Sequence, residues 1–553
     1  MESEESTEST RIHHQPGYPD VPARFIQTDK GETVLGDMRK IEIMDTTLRD
    51  GEQTSGVSFA AQEKVSVVSL LLEELKVDRV EIASARVSEG EFIAVKKMAQ
   101  WAQTHGYIDR LEVLGFVDGT TSLEWIASAG CKVVNLLTKG SLKHCTYQLR
   151  KTVEEHLADV RKAIATAQSM GLTVNLYLED WSNGMRDSKE YVFRMMDGLK
   201  DEPVRRFMLP DTLGILNPDE TGRFCREMIE RYPSLHFDFH AHNDYDLAVA
   251  NVFEAIKAGV KGVHVTVNGL GERAGNAPVT SVIALIHDHM GLETNVDESK
   301  LYNVSKVVES YSGVRIPNNK PIIGDNVFTQ VAGIHADGDK KKNLYFNDLM
   351  PERFGRFREY ALGKNAGRSN IIKNLEALGI ELDDEATRKV TARIIELGDK
   401  KEIVNLDELP YIVSDVLKNG LDSKDIEMLN YSLTLTDGLR PTATVKLAIK
   451  GEVYQETAAG EGQYHAFSKA MFKIYRRLNK PTPELIDYEV VIPPGGKTNA
   501  YVQTIITWKF EGKVFKTRAL DVDQTVAAIK ATMKMLNMLE SGNIPNMNYL
   551  PLP

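Results

Sequence analysis

The sequence predicts an α/β protein: a (β/α)8 TIM barrel, then a helical linker region, then a C-terminal duplicated βββα (α+β) domain. Three observations carry that expectation. From Ile41 onward, short β-branched runs alternate with longer segments of helical period, as repeated βα units on a parallel sheet require. Eight such runs occur, the number that closes a barrel. Past residue 430, two segments share one order of strands and a closing helix.

The runs are IEIMDTTL from Ile41, VDRVEIA from Val77, RLEVLGF from Arg110, KVVNLL from Lys132, TVNLYLED from Thr173, RFMLPDT from Arg206, LHFDFHAHN from Leu235 and GVHVTVNG from Gly262. Amphipathic stretches such as AAQEKVSVVSLLLEEL and VEEHLADVRKAIATAQSM lie between them. Each is long enough to cross back over a sheet. An open doubly wound sheet would want a Gly-rich first turn, and none is present.

Residues 1–38, with Pro16, Pro19, Pro22 and no lasting periodicity, read as a disordered tail. The barrel is expected over 39–315 and linker subdomains over 316–429, including a small helical unit at 370–428. The repeat occupies 430–553, as PTATVKLAIKGEVYQETAAGEGQYHAFSKAMFKI and AYVQTIITWKFEGKVFKTRALDVDQTVAAIKATMKML. A module of this kind suits ligand sensing or dimerisation.

At 553 residues the chain exceeds what one core organises. Its 42% hydrophobic and 26% charged content is that of a soluble protein, with no apolar run long enough to span a bilayer. The net charge of -12 is spread along the chain without a basic stripe, which argues against nucleic acid as a partner. Cys131, Cys145 and Cys225 form no CxxC pair, so neither a disulfide framework nor a structural zinc site is expected. The acidic, polar start MESEESTEST is unlike a signal peptide. A cytoplasmic location is expected.

A barrel gathers its chemistry at strand C-termini. Strand one runs into Arg49-Asp50-Gly51-Glu52, and strand seven ends in His240-Ala241-His242. Residues two apart on a strand share a face, so both imidazoles can reach one ion, with Asp50 as a hard oxygen ligand. Three ligands with open positions describe a catalytic metal site. Two imidazoles and a carboxylate accept Mn2+, Mg2+ or Zn2+ alike. Arg49 is placed to stabilise an oxyanion on a coordinated carbonyl. Glu179 ends strand five, Thr212 follows strand six, and Asn276 in GLGERAGN can complete the ion's shell.

DTTLRDGEQTSGVSF and FHAHNDYDLAVAN closely resemble the two signatures of the 2-isopropylmalate synthase, homocitrate synthase and citramalate synthase family. The resemblance continues through NGLGERAGN, GIHADGDKK and IPPGGKT, and covers nearly everything from residue 40 onward. It implies a divalent metal held by Asp50, His240 and His242 with Asn276 in or near the shell. It also implies a 2-keto acid chelated there, and acetyl-CoA as the second substrate. Arg49 would stabilise the developing alkoxide, Thr212 would hold the keto acid's carboxylate, and Glu179 or His335 would act as base. His335 and Tyr345 would reach the barrel of a partner subunit, which implies a homodimer.

By motif correspondence Leu114, Leu137 and Tyr177 line the wall around the substrate's side chain. Isopropylmalate synthases tend to carry histidine at the place of Leu137 and serine at that of Tyr177. The bulk here favours pyruvate, and with it citramalate synthesis at the start of a threonine-independent isoleucine pathway. The runner-up is 2-isopropylmalate synthesis from 2-oxoisovalerate, on the route to leucine. A non-catalytic amino-acid sensor is the reading of another class. The repeat implies an effector, isoleucine or leucine, at Leu485, Tyr488, Ile492, Thr498, Val502 and Gln524. Three departures from the family pattern stand out: Asp246 where a glycine is usual, His465 where an acidic residue is common, and Asn365-Ala366 where histidine and serine are frequent.

Overall fold

The computed structural model describes residues 26–27, 33–34, 40–330, 347–363, 366–377, 380, 382–399, 404, 409, 412–413, 416, 426–491 and 502–541. His335, Tyr345, Asn365, Ile492 and Thr498 lie outside them. By compactness the chain divides into two units, Met1–Ile316 and Pro317–Pro553.

The first unit is a closed barrel of eight parallel strands. They are β1 (Glu42–Asp45), β2 (Arg79–Ser84), β3 (Leu111–Phe116), β4 (Val133–Lys139), β5 (Thr173–Glu179), β6 (Val204–Asp211), β7 (Phe237–Ala241) and β8 (Gly262–Val265). Every one overlaps one of the eight runs expected to be strands. Neighbours pair in chain order, and β8 closes on β1 with Val265 opposite Asp45.

Helices return the chain between strands, and their ends follow local chemistry. The helix α1 (Val153–Ser169) opens with a capping box: Thr152 accepts the Glu155 N–H, and Glu155 accepts the Thr152 N–H. The helix α2 (Pro218–Arg231) opens in the same way at Asn217 and Glu220, with Pro218 in its first turn.

Barrel interiors are commonly filled by branched apolar side chains, but this one is charged toward its N-terminal end. Arg79 is buried and reaches Glu112 at 3.0 Å and Asp238 at 2.6 Å, while Arg206 bonds Glu42 at 2.6 Å. Above that layer lies an apolar belt of Met44, Leu114, Tyr177 and Met208, with Leu137 packed against it. Leu137 lies opposite Tyr177 in the β4–β5 register, and Met208 opposite Tyr177 in β5–β6.

In the second unit, two helices, α3 (Arg368–Ala377) and α4 (Asp384–Asp399), share a small core with Leu362 and Val404. Two three-stranded antiparallel sheets follow: β9 (Ile426–Thr434), β10 (Thr442–Ile449) and β11 (Glu452–Ala459), then β12 (Glu484–Val491), β13 (Val502–Phe510) and β14 (Lys513–Asp521). Each is closed by a helix, α5 (Gln463–Arg477) and α6 (Gln524–Ser541). The repeated segments therefore hold the second and third strands and the helix of each module. The first strand of each lies upstream, where the repeat is too weak to show. Val445, Leu447, Phe467, Ile474, Trp508, Phe515 and Leu536 form the common core.

One buried histidine fixes the end of β4. His156 on α1 accepts the Lys139 N–H at Nε2, 3.1 Å away, and the Tyr191 hydroxyl donates to the Lys139 carbonyl at 3.0 Å. Burial, helped by the charge of Lys151, lowers the His156 pKa from its ordinary 6.5 to about 4. The unfolded chain binds this proton first as pH falls, so stability should decline from pH 6.5 toward 4. Urea unfolding across that window should show His156→Gln, which keeps an acceptor without titrating, with a shallower decline than the parent. Parallel curves would remove His156 as the source.

Candidate active site

The turn after β1 is wound tightly: the Asp50 N–H donates to the Thr46 carbonyl at 2.8 Å and the Gly51 N–H to the same oxygen at 3.1 Å. This aims Arg49 and Asp50 over the barrel. Glu81, fully buried on β2, holds the turn from below. Its carboxylate accepts the Thr46 hydroxyl at 2.8 Å, Arg49 Nε at 2.5 Å and Asn135 Nδ2 at 2.8 Å. Burial raises its pKa, yet Arg49 and Asn135 outweigh burial and leave it below the usual carboxylate range. Arg49 Nη1 also donates to Asp50 Oδ2 at 2.9 Å, and Nη2 lies 3.4 Å from the Tyr177 hydroxyl.

His240 and His242 project from one side of β7 and its continuation, with ring centroids 5.0 Å apart. Their Nε2 atoms stand 3.4 and 3.7 Å from Asp50 Oδ2. Burial lowers both imidazole pKa values, His242 to about 4 with the help of His240. Both rings are therefore neutral near pH 7 and offer lone pairs. Burial opposes ionisation of Asp50, but Arg49 and the two histidines hold it well below the ordinary range.

Asn276 enters through the loop after β8. A side chain at Gly275, where φ is +87°, would collide with the Gly269 carbonyl oxygen, so only glycine allows the turn. Asn276 Nδ2 donates to the Leu270 carbonyl at 3.1 Å, and the residue bridges to His242. Asp50 Oδ1 and Asn276 Oδ1 are buried acceptors without a hydrogen-bonding partner. A carboxylate, an amide oxygen and one bare nitrogen from each of two neutral imidazoles make a donor set that fits a divalent cation. The ligand atoms of Asp50, His240 and His242 all lie within 4.8 Å of one another.

At the end of β5, Glu179 pairs with Lys139 across the β4–β5 register. The Thr212 hydroxyl accepts the Asp180 N–H at 2.9 Å, which ties the ends of β5 and β6 together. Asp246 adopts φ +59°, the left-handed region that glycine favours and aspartate tolerates. Asn243 Nδ2 bonds its carboxylate at 3.1 Å.

Glu52 is braced as well: Lys64, itself buried, bonds it at 2.6 Å and Glu91 at 2.6 Å. In the C-terminal domain, Leu485, Tyr488 and Gln524 line a cavity of about 400 Å³ with Tyr464, His465 and Thr525. Val502 starts β13 and is not among its lining residues. His465 Nδ1 accepts the Glu461 N–H at 3.2 Å.

Glu81, Lys139, His264, Met44 and Met208 are the site residues that motif reading missed. The signal for Glu81 is an acidic residue between Val80 and Ile82 inside a strand run. The two methionines gave no signal at all.

Residues 40–308 match the HMGL-like model, 322–402 the homocitrate synthase post-HMGL domain-like model, and 404–540 the LeuA allosteric (dimerisation) domain. The chain is similar to the (R)-citramalate synthase CimA of Methanocaldococcus jannaschii, 33% identical over 503 residues, covering 90% of this chain and 99% of that one. It is also similar to the 2-isopropylmalate synthase of the same organism, 31% identical over 90% of this chain and 95% of that one. The 2-isopropylmalate synthase of Heliobacterium modesticaldum is 31% identical over 92% and 98%. An HMGL-like barrel carrying a LeuA domain defines a condensing transferase. The chain belongs to the 2-isopropylmalate synthase and (R)-citramalate synthase family.

Mn2+ added to chelator-treated protein should raise the thermal midpoint, since ligand at a hundredfold over its Kd adds about 2.7 kcal/mol. Scanning fluorimetry should show that rise abolished in Asp50→Asn. An equal rise in the variant would place the cation elsewhere.

Proposed function

We propose that this enzyme condenses acetyl-CoA with pyruvate to give (R)-citramalate and CoA. The observation that carries the choice of substrate is the belt around Tyr177. The ring is 2% exposed and packs with Met44, Leu114, Leu137 and Met208, and a wall of such bulk favours a methyl group over an isopropyl group. One methylene in such a pocket shifts binding by roughly 1–3 kcal/mol. The (R)-citramalate synthase relative supports the same reading. The 2-isopropylmalate synthase relatives, at 31–34% identity, keep 2-oxoisovalerate as the second reading.

Asp50, His240, His242 and Asn276 would hold the divalent cation, Mn2+, Mg2+ or Zn2+. When bound, it would draw electron density from the keto carbonyl as a Lewis acid. Arg49, clamped by Glu81 and Asp50, keeps N–H groups for the oxygen that becomes the alkoxide. Thr212 would hold the substrate carboxylate. Glu179 is the candidate base for the acetyl methyl proton, and Lys139 keeps it in place as a carboxylate partner. The methyl carbon then attacks the keto carbon, and water releases CoA from the thioester. His335 and Tyr345, brought by a second subunit of a homodimer, are proposed to complete the site.

The cavity lined by Leu485, Tyr488 and Gln524 suits an amino acid with an apolar side chain. We assign it to isoleucine, with leucine as the alternative, and propose that its occupation inhibits the barrel.

With free CoA as the readout, pyruvate should turn over fastest in a panel of keto acids. Tyr177→Ser combined with Leu137→His should move preference toward 2-oxoisovalerate by about tenfold or more. Faster turnover of 2-oxoisovalerate by the parent enzyme would overturn the substrate assignment. Calorimetry should detect isoleucine binding that Tyr488→Ala weakens, together with inhibition of turnover. Binding without any turnover would instead favour a sensor.

A further inference from the structure

Below the keto-acid wall runs a line of three buried polar side chains that the reaction itself does not use. The Tyr177 hydroxyl lies 3.0 Å from His264 Nδ1, and His264 Nε2 lies 3.2 Å from Asp238 Oδ2. His264 is 1% exposed and Asp238 fully buried. Arg79 Nη2 donates to Asp238 Oδ2 at 2.6 Å and His236 Nε2 meets its other oxygen at 3.0 Å.

These contacts set the direction of each bond. Asp238 is met by the Arg79 guanidinium at 2.6 Å and by two imidazole nitrogens at 3.0 and 3.2 Å, the surroundings of a carboxylate that only accepts. His264 Nε2 must then carry the hydrogen. A neutral imidazole with its hydrogen on Nε2 has a bare acceptor at Nδ1. The Tyr177 hydroxyl has one hydrogen, and Nδ1 takes it. Its oxygen lone pair is thereby left toward Arg49 Nη2, 3.4 Å away, with the guanidinium 5.7 Å from the ring centroid.

The rest of the wall cannot hold the ring in this way. Met44, Leu114, Leu137 and Met208 are apolar, and methionine side chains adapt readily to a changed neighbour. Deprived of its acceptor, the phenol oxygen is a buried polar atom that gains by swinging toward another partner. Such a swing opens the space that the ring occupies.

We propose that His264 is a positioning residue for keto-acid specificity: held by Asp238, it accepts the Tyr177 hydroxyl and pins the ring across the pocket. This rests on the assignment of Tyr177 to the substrate wall. His264 reaches the substrate's side chain through Tyr177; its ring also packs against His240, centroids 5.4 Å apart, so metal content is read beside the rates.

The test compares kcat/KM for pyruvate and 2-oxoisovalerate in the parent and four variants, with metal content and thermal midpoint measured alongside. His264→Leu should lower the pyruvate to 2-oxoisovalerate ratio by about tenfold, chiefly through KM. Tyr177→Phe, which keeps the ring and removes the hydroxyl, should lower it similarly. His264→Asn, whose side-chain oxygen can stand where Nδ1 does, should restore most of the ratio. Tyr177→Ser tests the underlying wall assignment. A shift in Tyr177→Ser without one in Tyr177→Phe or His264→Leu would overturn the role of His264 and leave the wall intact. No shift in any variant would sink the wall assignment and this inference with it. Should His264→Leu fail to fold, Tyr177→Phe and His264→Asn still decide the matter.

Discussion

The contact on which the active site depends is the buried ion pair between Arg49 and Glu81. Neither residue is a proposed metal ligand, yet the pair holds the turn that carries Asp50 over the barrel. Arg49 Nε meets Glu81 at 2.5 Å, Thr46 adds its hydroxyl to the same carboxylate, and Arg49 reaches on to Asp50. Removing one partner of such a pair strands the other charge in a low-dielectric interior, at a cost of about 3–5 kcal/mol. The arrangement is stable because every partner is present together. It also fixes the guanidinium in advance of the reaction, so that little reorganisation remains when charge develops on a carbonyl oxygen.

Below this pair the barrel interior is layered. Charged side chains, Arg79 with Glu112 and Asp238, fill the N-terminal end, and an apolar belt around Tyr177 separates them from the mouth. The layering serves two needs. Ionic groups of opposite sign fill volume and satisfy one another, while the belt supplies the hydrocarbon surface proposed to meet the substrate's side chain. Tyr177 is the one belt residue with a polar handle, and its hydroxyl connects the layers through His264. The same hydroxyl lies 3.4 Å from Arg49, and the His264 ring packs against His240, so the belt and the mouth are joined through these side chains.

Much of this was legible in the residues. All eight barrel strands fall on the runs that the sequence marks as strands, most of them β-branched, because strands of a parallel barrel are shielded on both sides. His240 and His242 stand out because a pair two apart on a strand must share a side, and the structure brings them to Asp50. Asp246 departs from a glycine pattern without harm, since its backbone occupies the left-handed region that aspartate can enter. Lys139, His264 and the two methionines were not legible. Lys139 reads as a strand-end charge, His264 as a lone histidine in an apolar run, and Met44 and Met208 as ordinary core.

By itself the sequence determined which segments become strands and which strand ends are polar, because periodicity and residue type act over a few neighbouring positions. It also marked Arg49, Asp50, His240, His242 and Asn276 as a set, through motifs contiguous along the chain. Only the tertiary structure decided which side chains meet across the barrel. Glu81 is 32 positions from Arg49, and His264 is 87 from Tyr177. Whether such residues touch depends on the register and closure of eight strands, and the direction of a hydrogen bond between them depends on partners contributed by further strands. These are properties of the closed barrel as a whole.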